Sequence, residues 1–158
     1  MEELSGIARK IHAQLSGERE ELLVTYEPNV KEEQFEEELL RVRERDRRQC
    51  MTSVGPHRDD LLISIDGIDI RKFGSQGQQR STALVMKLAQ AKIIRDQTGE
   101  APVMLLDDVL SELDRDRQRF ILRNIDDMQV FITCCDSRVL DGTEGKIFSV
   151  SGGRITEG

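Results

Sequence analysis

Apolar residues recur at Leu4, Ile7, Ile11 and Leu15, the spacing of one helical face, and predict a helix over residues 3–16. The run ELLVTYEP (21–28) reads as a strand stopped by proline. From residue 31 to about residue 50 a second helix is expected, apolar at Phe35, Leu39, Leu40 and Val42. TSVGPHRDD (52–60) marks a turn. LLISIDGIDI (61–70) reads as two short strands around Asp66-Gly67, a dipeptide favoured in two-residue hairpin turns. A helix from residue 76 to about residue 97 carries an apolar stripe at Leu84, Leu88, Ala91 and Ile94 and ends near Gly99. An apolar strand at 103–106 then runs into Asp107 and Asp108, followed by a helix from about residue 113 to residue 124. MQVFIT (128–133) is a second apolar run of the kind buried in a parallel sheet, and KIFSV (146–150) is a last short strand. Strand and helix alternating over 103–150 imply parallel pairing and an α/β architecture.

Composition narrows the setting. The chain has 158 residues, 37% apolar and 34% charged, so its core is limited and it is either one domain or part of a larger one. Nothing approaches the ~18 consecutive apolar residues of a membrane span, and the polar, acidic N-terminus does not resemble a signal peptide. The net charge of −7 argues against a generally basic nucleic-acid coat, so any DNA contact is local or made by parts beyond this chain. In the 31–50 helix, glutamates fill the first half and arginines the second, which suits the helix dipole and a solvated surface; DNA binding by the arginine run is the second reading. Cys50, Cys134 and Cys135 have no metal-ligand spacing and read as reduced thiols.

Two segments carry chemistry. A strand ending in aspartate delivers a carboxylate to the edge of a parallel sheet, and Mg²⁺, which keeps most of its waters, needs only one or two such ligands. On that reading Asp107 serves the metal and Asp108 polarises a water; the plain alternative is a strand end leading into a loop. Paired aspartates also mark phosphoacceptor receiver domains, but there the pair lies near the domain start, and here the next strand ends in Thr133-Cys134-Cys135. SQGQQ (75–79) starts a helix. Ser75 with Gln78 three residues on fits a capping box, and SELD (111–114) has the same form. A capped start with Gly77 also concentrates N–H donors and positive dipole where an anion could sit, with the Ser75 hydroxyl beside it. Capping alone explains each segment; both segments flanking an Asp-Asp strand is a less ordinary coincidence.

In that order the segments resemble the ABC-type ATPase superfamily: FGSQGQQRS its signature motif, with Arg80 one turn in, VMLLDD its Walker B strand and SELD its D-loop. The wordings GPHRDDL (55–61), SQGQQRS and LLDDVLSELD, with IHAQLSGEREELLVTYEP upstream, resemble the RecF family of bacterial recombination mediators along essentially the whole chain. The resemblance implies an α/β fold: the C-terminal part of an ABC-type P-loop ATPase head, a mixed, largely parallel sheet with flanking helices, plus part of a helical arm. Residues 1–52 would end the arm with a connecting strand, and 53–158 would form the head's C-terminal lobe. It further implies an ATP-sandwiching homodimer, cytoplasmic and nucleoid-associated, that acts at single-strand/double-strand DNA junctions with RecO and RecR and helps load RecA. In such dimers Ser75, Gly77 and Gln78 would meet ATP held by the partner. Asp107 would serve Mg²⁺, and Asp108 would replace the usual catalytic Glu. Ser111, Glu112, Leu113 and Asp114 would line the subunit junction. Thr133 is a candidate sensor, with Cys134 where many relatives have His, and His57, Arg58 and Arg80 are candidate supports. The other readings are a non-hydrolysing DNA- or partner-binding module of the same fold, and the C-terminal half of an SMC-type head, which should follow a long heptad coiled coil.

No G-x-x-x-x-G-K-[S/T] occurs in the 158 residues; GTEGK (142–146) is too short and lacks the hydroxyl residue. The expectation is therefore a fragment that needs a Walker A loop from elsewhere, and an intact ATPase that turns over slowly. Calorimetry of this chain with Mg-ATP should show no saturable micromolar binding; a saturable isotherm in that range would overturn the reading.

Overall fold

The computed structural model describes residues 1–125, 127–140 and 144–157; within them the side chains of Glu112 and Ser137 are not described. The chain divides into two compact units, Met1–Pro102 and Val103–Gly158.

In the first unit, α1 (Glu2–Ser16) begins with Glu2 and Glu3, where the helix dipole favours acids. It ends on Gly17 in the left-handed region (φ 65°), whose N–H closes onto Ala13 O and Gln14 O. Its predicted face, Leu4, Ile7, Ile11 and Leu15, packs against a core of Ala8, Leu22, Val24, Ile65, Ile70, Val85 and Ala89. α1 lies on α4 (Gln76–Thr98). Fully buried Ala8 and Ala89 contribute little side-chain bulk between the two helices.

β1 (Leu22–Glu27) pairs antiparallel with β2 (Asp60–Ile65), from Leu22↔Ile65 to Glu27↔Asp60, and β2 turns into β3 (Ile68–Asp69). Asp66 and Gly67, at φ 51° and 79°, give the hairpin the expected tight turn. The second strand is shorter than expected. The Asp69 side chain accepts from Arg71 N and Lys72 N, caps the four-residue helix α3 (Ile70–Phe73), and so converts the end of the apolar run into helix. The helix expected over 31–50 opens with a 3₁₀ turn, Glu32–Gln34, and becomes α2 (Phe35–Gln49), ending at Cys50 with φ 51°. α2 buries only Val42, and Leu40 is 61% exposed. α1 and β1 share one core with β2 and α4.

In the second unit, β4 (Met104–Asp107), α5 (Arg115–Asn124) and β5 (Val130–Thr133) form a parallel β-α-β unit, in register from Met104↔Val130 to Asp107↔Thr133. Met104, Leu106, Leu110, Leu113, Ile121 and Ile125 are buried. The uninterrupted apolar runs suggested strands covered on both sides. Instead the strands alternate, and Leu105 (73% exposed) stands beside Phe131 (57%) on the open face. Between β5 and the next strand the described residues hold a 3₁₀ turn, Ser137–Leu140. The last expected strand is β6 (Phe148–Ser151), which pairs antiparallel with a further strand, β7 (Arg154–Glu157), through Gly152-Gly153 at φ 56° and 75°. No helix among the described residues is long and apolar enough to cross a membrane.

Leu22→Ala removes the largest fully buried aliphatic side chain of the first core and should cost about 2–5 kcal/mol, read as a lower urea midpoint; a loss below about 1 kcal/mol would show that this core is not what holds the unit.

Candidate functional site

The signature segment lies in the first unit. α3 ends at Gly74, whose N–H donates to Ile70 O at 3.1 Å. A Cβ on Gly74 would fall 2.5 Å from Ile70 O and 2.9 Å from Ile70 Cα, so backbone proximity, not a left-handed φ, demands glycine. The next residue, Ser75, caps α4 as expected: its Oγ accepts from Gln78 N at 3.2 Å, and Gln78 Oε1 accepts from Ser75 N at 3.1 Å and from Ser75 Oγ at 3.3 Å. Gln79 Nε2 reaches back and donates to Ile70 O at 2.9 Å, tying the helix start to α3. Gln78 Nε2 donates to Glu20 Oε1 at 3.1 Å, and Gly77 O accepts from Ser81 Oγ at 2.7 Å. Ser75 and Arg80 are exposed, and Gly77 and Gln78 are half-buried. Phe73, beside them, is 76% exposed.

His57 and Arg58 sit in a 3₁₀ turn, Pro56–Arg58, after Gly55 at φ 135°. Both converge on one carbonyl, Thr52 O, at 3.0 Å from His57 Nε2 and 3.1 Å from Arg58 Nε. The following aspartates are also engaged within the unit. Asp59 accepts from Tyr26 Oη and from Asn29 N. Asp60 binds Arg71 through two hydrogen bonds, and with Leu61 N–H these hold its carboxyl down at about 2. The GPHRDD segment therefore fastens the loop before β2 to β1 and α3.

The carboxylate strand lies in the second unit. Asp107 stands opposite Thr133, and Thr133 Oγ1 donates to Asp107 Oδ1 at 2.5 Å while accepting from Asp108 N at 3.0 Å. One hydroxyl thus meets the Asp107 carboxylate and the Asp108 amide, which also donates to Thr133 O at 3.1 Å. Asp108 has φ 51°, a left-handed conformation that asparagine and aspartate tolerate better than most residues. Ser111 Oγ donates to Asp108 O at 2.9 Å and to its carboxylate. Ser111 is therefore not a helix cap: it lies in a 3₁₀ turn, Leu110–Glu112, and Asp114 caps α5, accepting from Asp116 N at 3.1 Å and Arg117 N at 2.9 Å. Of the predicted junction residues, Leu113 is buried, Asp114 is exposed, and the Glu112 side chain lies outside the described residues.

Asp107 and Asp108 are both exposed at the strand end. Among the described residues no group of three or more His, Cys, Asp or Glu could hold a metal. Two carboxylates suit Mg²⁺, which retains water ligands, and would not suit a metal that needs an all-protein cage. GTEGK (142–146), too short for a Walker A loop, includes residues outside the described set.

Four residues that make contacts within these segments escaped the sequence reading: Glu20, Gly74, Gln79, and Ser111 as the partner of Asp108. Only Gly74, next to the helix cap, carried a local signal; the others act across turns or between distant segments.

No family model matches the chain. It is 52% identical over 132 residues, 84% of its length, to the DNA replication and repair protein RecF of Agathobacter rectalis, of which it covers 36%. It is 43% identical to RecF of Clostridium tetani over 99% of its length, covering 46% of that protein. Among solved structures, the recombination mediator protein RecF-ATPrS in the RecFOR pathway aligns with 99% of the chain at TM-score 0.74 and 36% identity, with 44% of that protein covered. An SMC ATPase structure aligns at TM-score 0.57 and 20% identity, a likeness of fold alone. Over the part it spans, the α/β fold is that of these structures and is consistent with an ABC-type ATPase head. The chain spans less than half the length of these relatives, and over that length it is similar to RecF.

Thr133→Val removes the hydroxyl shared by the two aspartates and should lower the second unit's stability by about 1 kcal/mol in urea denaturation, with Thr133→Ser close to the parent; equal effects of the two substitutions would show that the hydroxyl holds nothing.

Proposed function

We propose that this chain supplies the signature, carboxylate-strand and D-loop segments of an ATP-dependent recombination mediator of RecF type. The observation that carries the reading is the capped start of α4 at Ser75–Gln78, an anion-favouring helix end, in a chain similar to proteins solved with ATP in the RecFOR pathway. On this reading residues 53–158 form the C-terminal lobe of the head, and residues 1–52 close a helical arm. Ser75 and Gly77, with Gln78 beside them, face ATP held by the Walker A loop of a second subunit. Asp107 would hold Mg²⁺ and Asp108 would orient the attacking water, while the D-loop residues 111–114 would line the junction between subunits. Bound Mg-ATP would supply a phosphoanhydride and a divalent cation to these residues. The intact protein works as a dimer at single-strand/double-strand DNA junctions in the bacterial cytoplasm, with RecO and RecR, and favours RecA loading.

Slow hydrolysis fits the residues present. Asp108 is a short base, and Thr133-Cys134 offers no charged group where many ABC-type ATPases place histidine. Slow turnover suits a switch. Without a Walker A loop the chain alone does not hydrolyse ATP.

Two assays test this reading. Labelled chain titrated with full-length Clostridium tetani RecF should associate in ATP and not without it, and Ser75→Arg should abolish the association. In a chimaera that joins the Walker A-bearing part of that relative to this chain, Asp108→Asn should cut turnover about a hundredfold while leaving ATP-dependent dimerisation in place. ATP-independent association, or unchanged turnover, would refute the corresponding role.

A further inference from the structure

Gln78 sits at the centre of the signature segment, and its carboxamide has two ends of similar shape and opposite hydrogen-bonding character. The Oε1 end accepts from Ser75 N and Ser75 Oγ. The Nε2 end donates to Glu20 Oε1, a residue 58 positions earlier in the chain. Glu20 lies in the loop between α1 and β1, directly after a reversal made by Gly17 and Glu18 at φ 65° and 60°. Its other carboxylate oxygen is 3.5 Å from Nε2 of buried His12 on α1. The Glu20 side chain is 25% exposed, so it is held between α1 and α4 rather than extended into solvent.

A carboxylate only accepts, so Glu20 selects the donor end of the Gln78 amide. Were the amide turned over, its NH₂ would face Ser75 N–H, donor against donor, and the capping box would lose its return bond. Ser75 Oγ would lose its acceptor as well. We propose that Glu20 is a positioning residue of the signature segment: it fixes the orientation of the Gln78 amide and thereby the direction of the Ser75 hydroxyl and the N–H groups of the first turn. Glu20 touches no nucleotide; it acts through Gln78. The proposal rests on the reading of this helix start as the surface that meets ATP in trans.

The test uses labelled chain titrated with full-length Clostridium tetani RecF in ATP. Glu20→Ala should weaken ATP-dependent association about tenfold, whereas Glu20→Gln, which still presents a carbonyl oxygen, should stay within about twofold. Glu20→Met fills similar volume without an acceptor and should behave like Ala, which separates orientation from packing. Gln78→Ala should weaken association by itself, and adding Glu20→Ala to it should have no further effect. Thermal melts by circular dichroism check that each variant is folded. Glu20→Met at parent affinity, or Glu20→Ala and Gln78→Ala effects that multiply independently, would overturn the proposal. Ser75→Arg separates the two readings: if it leaves association intact, the in-trans function fails, and if it abolishes association while Glu20→Met does not weaken it, only the role of Glu20 fails.

Discussion

The first turn of α4 is held at three points, and the candidate chemistry of the first unit depends on that restraint. A helix start leaves four amide groups without intrahelical partners, and those groups are useful to a ligand only if their direction is set beforehand. Here Ser75 and Gln78 close the turn on itself, Gln79 ties it back to α3, and Glu20 holds it from the α1–β1 loop. α4 in turn is seated on α1 through the core around Ala8, Val85 and Ala89. The path from hydrophobic pattern to site is therefore short: the face that makes α1 a helix also places the residue that orients Gln78.

The second unit reaches the same end by a different route. A parallel strand pair puts Asp107 and Thr133 side by side at its carboxyl edge, and the threonine hydroxyl meets the Asp107 carboxylate and the Asp108 amide. Among the described residues Met104 and Leu106 are buried, while Leu105 and Phe131 stand exposed on the other face of the pair. Parallel sheets are found almost entirely with both faces covered. The relatives extend well beyond the length that this chain spans.

Much of this was legible in the sequence. The spacing of Leu4, Ile7, Ile11 and Leu15, the Asp66-Gly67 turn, the Ser75–Gln78 box and the apolar strand into Asp107 each announce themselves within a few residues, because periodicity and capping are local. What the sequence hid was either competition or distance. Asp69 could end a strand or cap a helix, and its side chain settled the matter for the helix. SELD reads as a cap at Ser111, but the turn geometry assigns the cap to Asp114 and gives Ser111 to Asp108. The Gly152-Gly153 hairpin had a local signal that KIFSV overshadowed. Glu20 had none, since its partner lies 58 residues away.

The backbone at residue 108 also bears on how this site can change over evolution or by engineering. Its left-handed φ admits aspartate, asparagine and glycine more readily than side chains with a longer stem. A substitution that lengthens the acid by one methylene therefore alters two quantities at once: the reach of the carboxylate and the ease with which the chain turns out of β4. The range of residues open to this position is set by the shape of the turn as well as by the length of the side chain.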